Sequence, residues 1–196
     1  MNSTRTMSIV AMFTSLVIAS DYALAPALNV KLMDALVFSS AYAFGFRVGA
    51  YIAVLSELIW CVASPFGNAG YISPFLIAGE MIFVVAAYFC SKLWKMSEVT
   101  ALSYRNVFLG ATLAICAFVW DFETNLATGL LALWPNHLTL AGVLVFQVLG
   151  VPFMIPHELG DFVLGSFLVP VVIAFCRRHL RTITDNEKLL LHLETK

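Results

Sequence analysis

The stretch that decides the fold is FVWDFETNLATGLLALW, Phe118 to Trp134. Its flanks are apolar enough for lipid, yet Asp121, Glu123 and Asn125 stand inside it. An acid at the centre of a membrane helix costs about 2.5–3.5 kcal/mol on insertion scales, while each Leu, Ile, Phe or Val returns only about 0.3–0.6. Two acids would cancel most of the apolar gain of this segment. Such residues persist in a membrane helix when they face a cavity, a partner or the water boundary. On a regular helix Asp121, Asn125 and Thr128 share one stripe, while Glu123 points nearly the opposite way. The stripe predicts a polar cavity on one face of a membrane helix.

Composition supports the membrane setting. Of the 196 residues, 61% are hydrophobic and 12% charged, where a soluble domain has about 45–50% and about 25%. The surplus needs lipid as well as a core. Six candidate spans follow from apolar runs of membrane-crossing length: about 7–24, 32–44 (short), 48–63, 75–94, 106–133 and 158–175. The loop APALNVK (25–31) separates the first two, and SPFGNAGYISP (64–74) breaks the chain before the fourth. The polar link KMSEVTALSYR (95–105) precedes the fifth. The run LTLAGVLVFQVLGVPFMIP (138–156) is apolar but short, and is expected to be a buried or interfacial segment, with a seventh crossing as the alternative.

Charge orients the spans. With six crossings, ten basic residues (Arg5, Arg47, Lys92, Lys95, Arg105, Arg177, Arg178, Arg181, Lys188 and Lys196) share one side and Lys31 alone takes the other. Basic loops stay in the cytoplasm, so both termini are expected there. The expected fold is an all-α bundle of six transmembrane helices over 1–181, with a short cytoplasmic tail over 182–196. An N-terminal Arg5, an apolar run and Ala23-Leu24-Ala25 mimic a secretory signal, but Asp21 and Pro26 argue against cleavage. Cys61, Cys90, Cys116 and Cys176 form no C-x-x-C pair and are expected as buried free thiols.

Eight of the twelve acids fall in the outer half of this topology: Asp21, Asp34, Glu57, Glu80, Asp121, Glu123, Glu158 and Asp161. Glu57 and Glu80 lie deepest and are expected in a pocket. Asp21, Asp34, Glu123 and Glu158 are as readily explained by contact with water. Glu57 shares a stripe with Trp60, Cys61 and Ser64, and His157 shares one with Asp161. His157-Glu158 resembles the start of a metalloprotease helix, but H-E-x-x-H requires histidine where Asp161 stands. No metal, cofactor or catalytic set is therefore expected. There is no Gly-rich phosphate loop, so any ATP hydrolysis belongs to other subunits. On the first helix Ala11, Ser15, Ala19 and Ala23 recur every fourth residue, a flat ridge against which another helix packs closely.

The chain resembles the membrane-embedded substrate-binding (S) components of energy-coupling factor importers. VKLMDALVFSSAYAFGFRVGAYIAVLSELIW (30–60), with Phe44-Gly45 and Gly49-Ala50, resembles their second and third helices. WDFETNLATGLL (120–131) resembles their fifth, and PFMIPHELGDFVLGSFLVPVV (152–172) their last. Phe46 stands where a proline is common and Asp161 where an asparagine is common. The resemblance implies an outward pocket for a vitamin or similar trace nutrient, a transmembrane coupling subunit and two ATPases as partners, and the Ala11–Ala23 ridge as the docking seam. It implies a cell-membrane, multi-pass location, with lipid but no nucleic acid as a further partner. An acid-rich, base-poor vestibule repels anions and suits a cationic or amine-bearing heterocycle such as thiamine or its pyrimidine. Expected ligand-facing residues are Glu57, Glu80, Trp120, Asp121, Asn125, Thr128, His157 and Asp161. The competing expectation is a non-transporting accessory subunit of a membrane enzyme complex.

Overall fold

A computed structural model describes residues 3–27, 29–93 and 103–194, with side chains up to residue 178. All of its regular structure is helical: α1 (Ser3–Leu24), α2 (Met33–Phe44), α3 (Phe46–Ala63), a short 3-10 turn (Gly70–Ile72), α4 (Ser73–Leu93), α5 (Tyr104–Leu133) and α6 (Leu140–Glu194). Five segments among the described residues are long and apolar enough to cross a membrane, and α2 is a shorter apolar helix. By length and composition this is a multi-pass membrane protein. The outside agrees: Phe89, Ile115, Phe118, Phe122 and Val163 are all exposed, and lipid solvates such a surface where water would not.

The centre of the bundle is α2. Every residue from Met33 to Tyr42 is buried, because the segment, Asp34 apart, is apolar or small on all sides. Its two core serines cost little, since Ser39 donates to the Ala35 carbonyl and Ser40 to that of Val37, each at 2.7 Å. Gly45 ends the helix with φ +96° and starts α3 immediately afterwards. Only glycine adopts that backbone without strain. The reversal lays α3 back along α2, so closely that a side chain on Gly49 would overlap Ala41.

Around α2 stand α1, α3, α4 and α6. Helix α1 buries Ile9, Val10, Phe13, Thr14, Val17 and Asp21 on one face, and leaves Ala11, Ser15, Ala19 and Ala23 exposed on the other. The small-residue ridge is thus not consumed by packing inside the bundle.

Helices α5 and α6 form a long antiparallel pair. Gly110 meets Gly165 and Phe162, Asn125 meets Gly150, and Phe146 covers Gly129. The crossing at Gly110 leaves no room for a methyl group, which would meet the Phe162 carbonyl at 2.5 Å. The structure corrects the expected sixth span. The run 138–156 is neither a separate interfacial piece nor a seventh crossing: α6 is one helix of 55 residues from Leu140, with Pro152, Pro156 and Pro170 inside it. Proline normally breaks a helix by deleting an N–H bond to the residue four back. Here α5, itself 30 residues long, lies along the proline-bearing segment and supplies packing that holds it helical. The backbone stays helical through the expected tail as far as Glu194. Most of the polar link 95–105 lies outside the described residues.

The Arg177 guanidinium sits 5.0 Å from the Tyr42 ring, near the end of α2, and Phe13 of α1 packs edge-on against Phe44. Helix α2 rises only about 18 Å at 1.5 Å per residue, too short to cross about 30 Å of hydrocarbon by itself.

Candidate functional site

Six carboxylates, one from each of the six α-helices, converge above the first turn of α2: Asp21 (α1), Asp34 (α2), Glu57 (α3), Glu80 (α4), Asp121 (α5) and Asp161 (α6). All are buried, none more than 4% exposed. His157 lies among them at 1% exposure. Its Nε2 is 2.9 Å from Asp34 Oδ2 and its Nδ1 is 2.9 Å from Asp121 Oδ2. One imidazole thus ties α2, α5 and α6 together.

Each helix places its acid for a local reason. Asp121 falls on the buried stripe of α5 with Leu113, Ala117, Trp120 and Thr124. Glu80 follows Gly79, and a side chain on Gly79 would strike the Trp120 indole at 2.5 Å. That glycine lets Trp120 lie flat on α4, where its Nε1 donates to the Leu76 carbonyl at 3.4 Å. The Trp120 ring meets His157 edge-on at 5.5 Å. Asp21 has a structural task as well: its Oδ1 accepts from the Leu32 N–H at 3.0 Å and the Met33 N–H at 3.2 Å. Those N–H groups begin α2, which otherwise has no side-chain cap.

Lys31 supplies the basic counterpart. Its ammonium stands 4.6 Å from the Trp120 ring centroid. Burial works against its charge, and the carboxylates of Glu57, Asp34, Asp21 and Glu80 work in its favour. Six carboxylates facing Lys31 and His157 still carry a formal excess of negative charge. In a low-dielectric interior each uncompensated ion costs several kcal/mol, so the excess has to be balanced by protons or by a bound cation.

The site is closed, where the sequence leads one to expect a vestibule open to the outside. The α1–α2 connection straps over it. Asn29 Nδ2 donates to the Phe153 carbonyl of α6 at 3.0 Å, Val30 lies over Gly160, and Lys31 rests on Trp120. Beside the strap, the Tyr22 hydroxyl donates to the Ala63 carbonyl, and Tyr22 and Phe66 both pack edge-on against Trp60.

Of the expected ligand-facing residues, Glu57, Glu80, Trp120, Asp121, His157 and Asp161 come together here. Asn125 and Thr128 do not join them. Asn125 packs against Gly150 about one helical turn farther along α5, and the Thr128 hydroxyl donates to its own helix at Thr124. Glu123 is turned away from Asp121 and lies beside Gly79 of α4, as a regular helix requires. Sequence reasoning passed over Asp34, Asp21 and Lys31 as site residues. The signal for Asp34 was the shortness of α2, an apolar helix too brief to cross a membrane by itself. The four cysteines are free and buried. No family model, curated protein or solved structure matches the chain.

Proposed function

We propose that the chain is the substrate-binding membrane subunit of an importer of the energy-coupling factor type, and that it binds a cationic or amine-bearing nutrient such as thiamine or its pyrimidine. The observation that carries this is the convergence of six buried carboxylates, with Trp120 beside them, at the middle of a membrane bundle. Such a cluster is costly to stability and attracts positive charge. A flat cation could stack on Trp120 in place of the Lys31 ammonium. Access requires the strap to part from α6, which its described residues hold through the Asn29 bond to Phe153 and the packing of Val30 over Gly160. The exposed Ala11–Ala23 ridge supports a second element of the proposal, docking of α1 onto a transmembrane coupling subunit worked by two ATPases. The chain itself is then not an enzyme. It lies in the cell membrane as six crossings, with α2 and its strap forming the second, and with both termini cytoplasmic.

The test is purification of the chain from its native membrane, followed by mass spectrometry of released small molecules. Retention of an amine-bearing nutrient, lowered in Asp121→Asn and Glu80→Gln variants, supports the proposal, as does recovery of two ATPases with the chain. A chain that retains nothing and co-purifies with a redox or other membrane enzyme is an accessory subunit instead.

A further inference from the structure

We propose that Asp34, His157 and Asp161 form a binding site for a divalent metal ion, with Asp121 as the carboxylate that orients the histidine. The inference stands apart from the transport proposal, since an ion can be held here whether or not the chain imports anything.

Geometry comes first. One oxygen of Asp34, one nitrogen of His157 and one oxygen of Asp161 all lie within 4.8 Å of one another, and all three residues are buried. A metal ion with bonds of about 2.0–2.2 Å is reached from such a triangle by side-chain shifts of under ~1 Å. His157 and Asp161 are one helical turn apart on α6, so the helix presents both to the same point. Asp34 arrives from α2, 123 residues earlier in the chain.

The second observation is what the hydrogen bonds leave over. Both oxygens of Asp161 are buried and have no hydrogen-bond partner, and the same holds for Glu80 Oε1. His157 bridging Asp34 and Asp121 satisfies neither. Oxygens of Asp34 and Asp161 no more than 4.8 Å apart repel one another when both carboxylates are charged, and burial weakens the screening. A doubly charged ion at that point turns the repulsion into attraction and gives Asp161 its missing partner.

The third is the outer hydrogen bond. A metal-bound histidine typically donates its other ring N–H to a carboxylate, which fixes its tautomer. Nδ1 of His157 stands 2.9 Å from Asp121 Oδ2, the position for that role. With the proton on Nδ1, Nε2 offers a lone pair toward Asp34 and Asp161. One imidazole nitrogen and two carboxylates, with Glu80 adjacent and no sulphur donor in the set, suit Zn2+ or a neighbouring first-row divalent ion over Cu+. The sequence led one to expect no metal because H-E-x-x-H is incomplete in α6. The third ligand comes from α2 instead.

The experiment is metal binding to the purified, chelator-stripped full chain in detergent, with Zn2+ measured by elemental analysis after desalting and Co2+ followed by its visible absorption. The expected result is one equivalent per chain, a Co2+ spectrum of a nitrogen–oxygen site, and a melting temperature raised by Zn2+ and restored by chelator. Asp161→Asn and Asp34→Asn should each weaken binding at least ~100-fold, and Asp121→Asn about 10–100-fold with stoichiometry kept. Wild-type protein that keeps no metal and melts at the same temperature with and without Zn2+ overturns the proposal, leaving protons as the balancing charge. Equal binding by wild type and an Asp34→Asn/Asp161→Asn double variant overturns it too, as adventitious surface binding. Should those variants fail to fold, the stoichiometry, spectrum and melting shift of wild-type protein decide the matter.

Discussion

Replacing His157 by alanine should be the most damaging single change in the site, and its size can be worked out. The imidazole makes two 2.9 Å contacts, to Asp34 and Asp121, with all three groups buried. Its removal strands two carboxylates without a donor. Breaking a buried charged pair typically costs about 3–5 kcal/mol, and the lost ring adds a cavity. Taking about 4 kcal/mol, and about 2–4 °C per kcal/mol for a chain of this size, the melting temperature should fall by about 8–16 °C. The assay is thermal unfolding in detergent with chelator present, so that no metal contributes. Asp34→Asn supplies the control. It removes the charge that the histidine would otherwise leave stranded, so the double variant should melt at or above His157→Ala alone. A His157→Ala protein within about 2 °C of wild type, or a double variant whose losses simply add, would refute the view that His157 holds these helices together by charge.

Three further outcomes follow from the packing. Gly110→Ala should destabilise the α5–α6 pair by about 1–3 kcal/mol, because the new methyl meets the Phe162 carbonyl and Ser166; an unchanged melting temperature would mean that the crossing is looser than described. Asp21→Ala should cost about 1 kcal/mol through loss of the cap on Leu32 and Met33, whereas Asp21→Asn, which keeps an accepting oxygen, should melt near wild type. Ala19→Leu lies on the exposed ridge of α1, so it should leave stability unchanged while abolishing recovery of a coupling subunit; retained recovery would remove the ridge from the docking proposal.

The primary sequence by itself settled the solvent and the elements. An excess of apolar residues in helix-length runs can be buried only in lipid, and a backbone in lipid must satisfy its own hydrogen bonds, which helices do. The stripe of Asp121, the depth of Glu57 and Glu80, and the pairing of His157 with Asp161 were all legible because helical periodicity is local. The continuity of α6 was not, since its prolines signal a break and only the neighbouring α5 shows why the helix survives them. Nor was the site itself complete. Asp34 and Asp21 resembled water-facing helix ends until the third dimension set a buried, foreshortened α2 at the centre and carried Lys31 over Trp120. Which acids meet depends on how helices far apart in the chain pack against one another. Side-chain spacing along one helix fixes which face a residue occupies, but contact between helices is a property of the packed bundle alone.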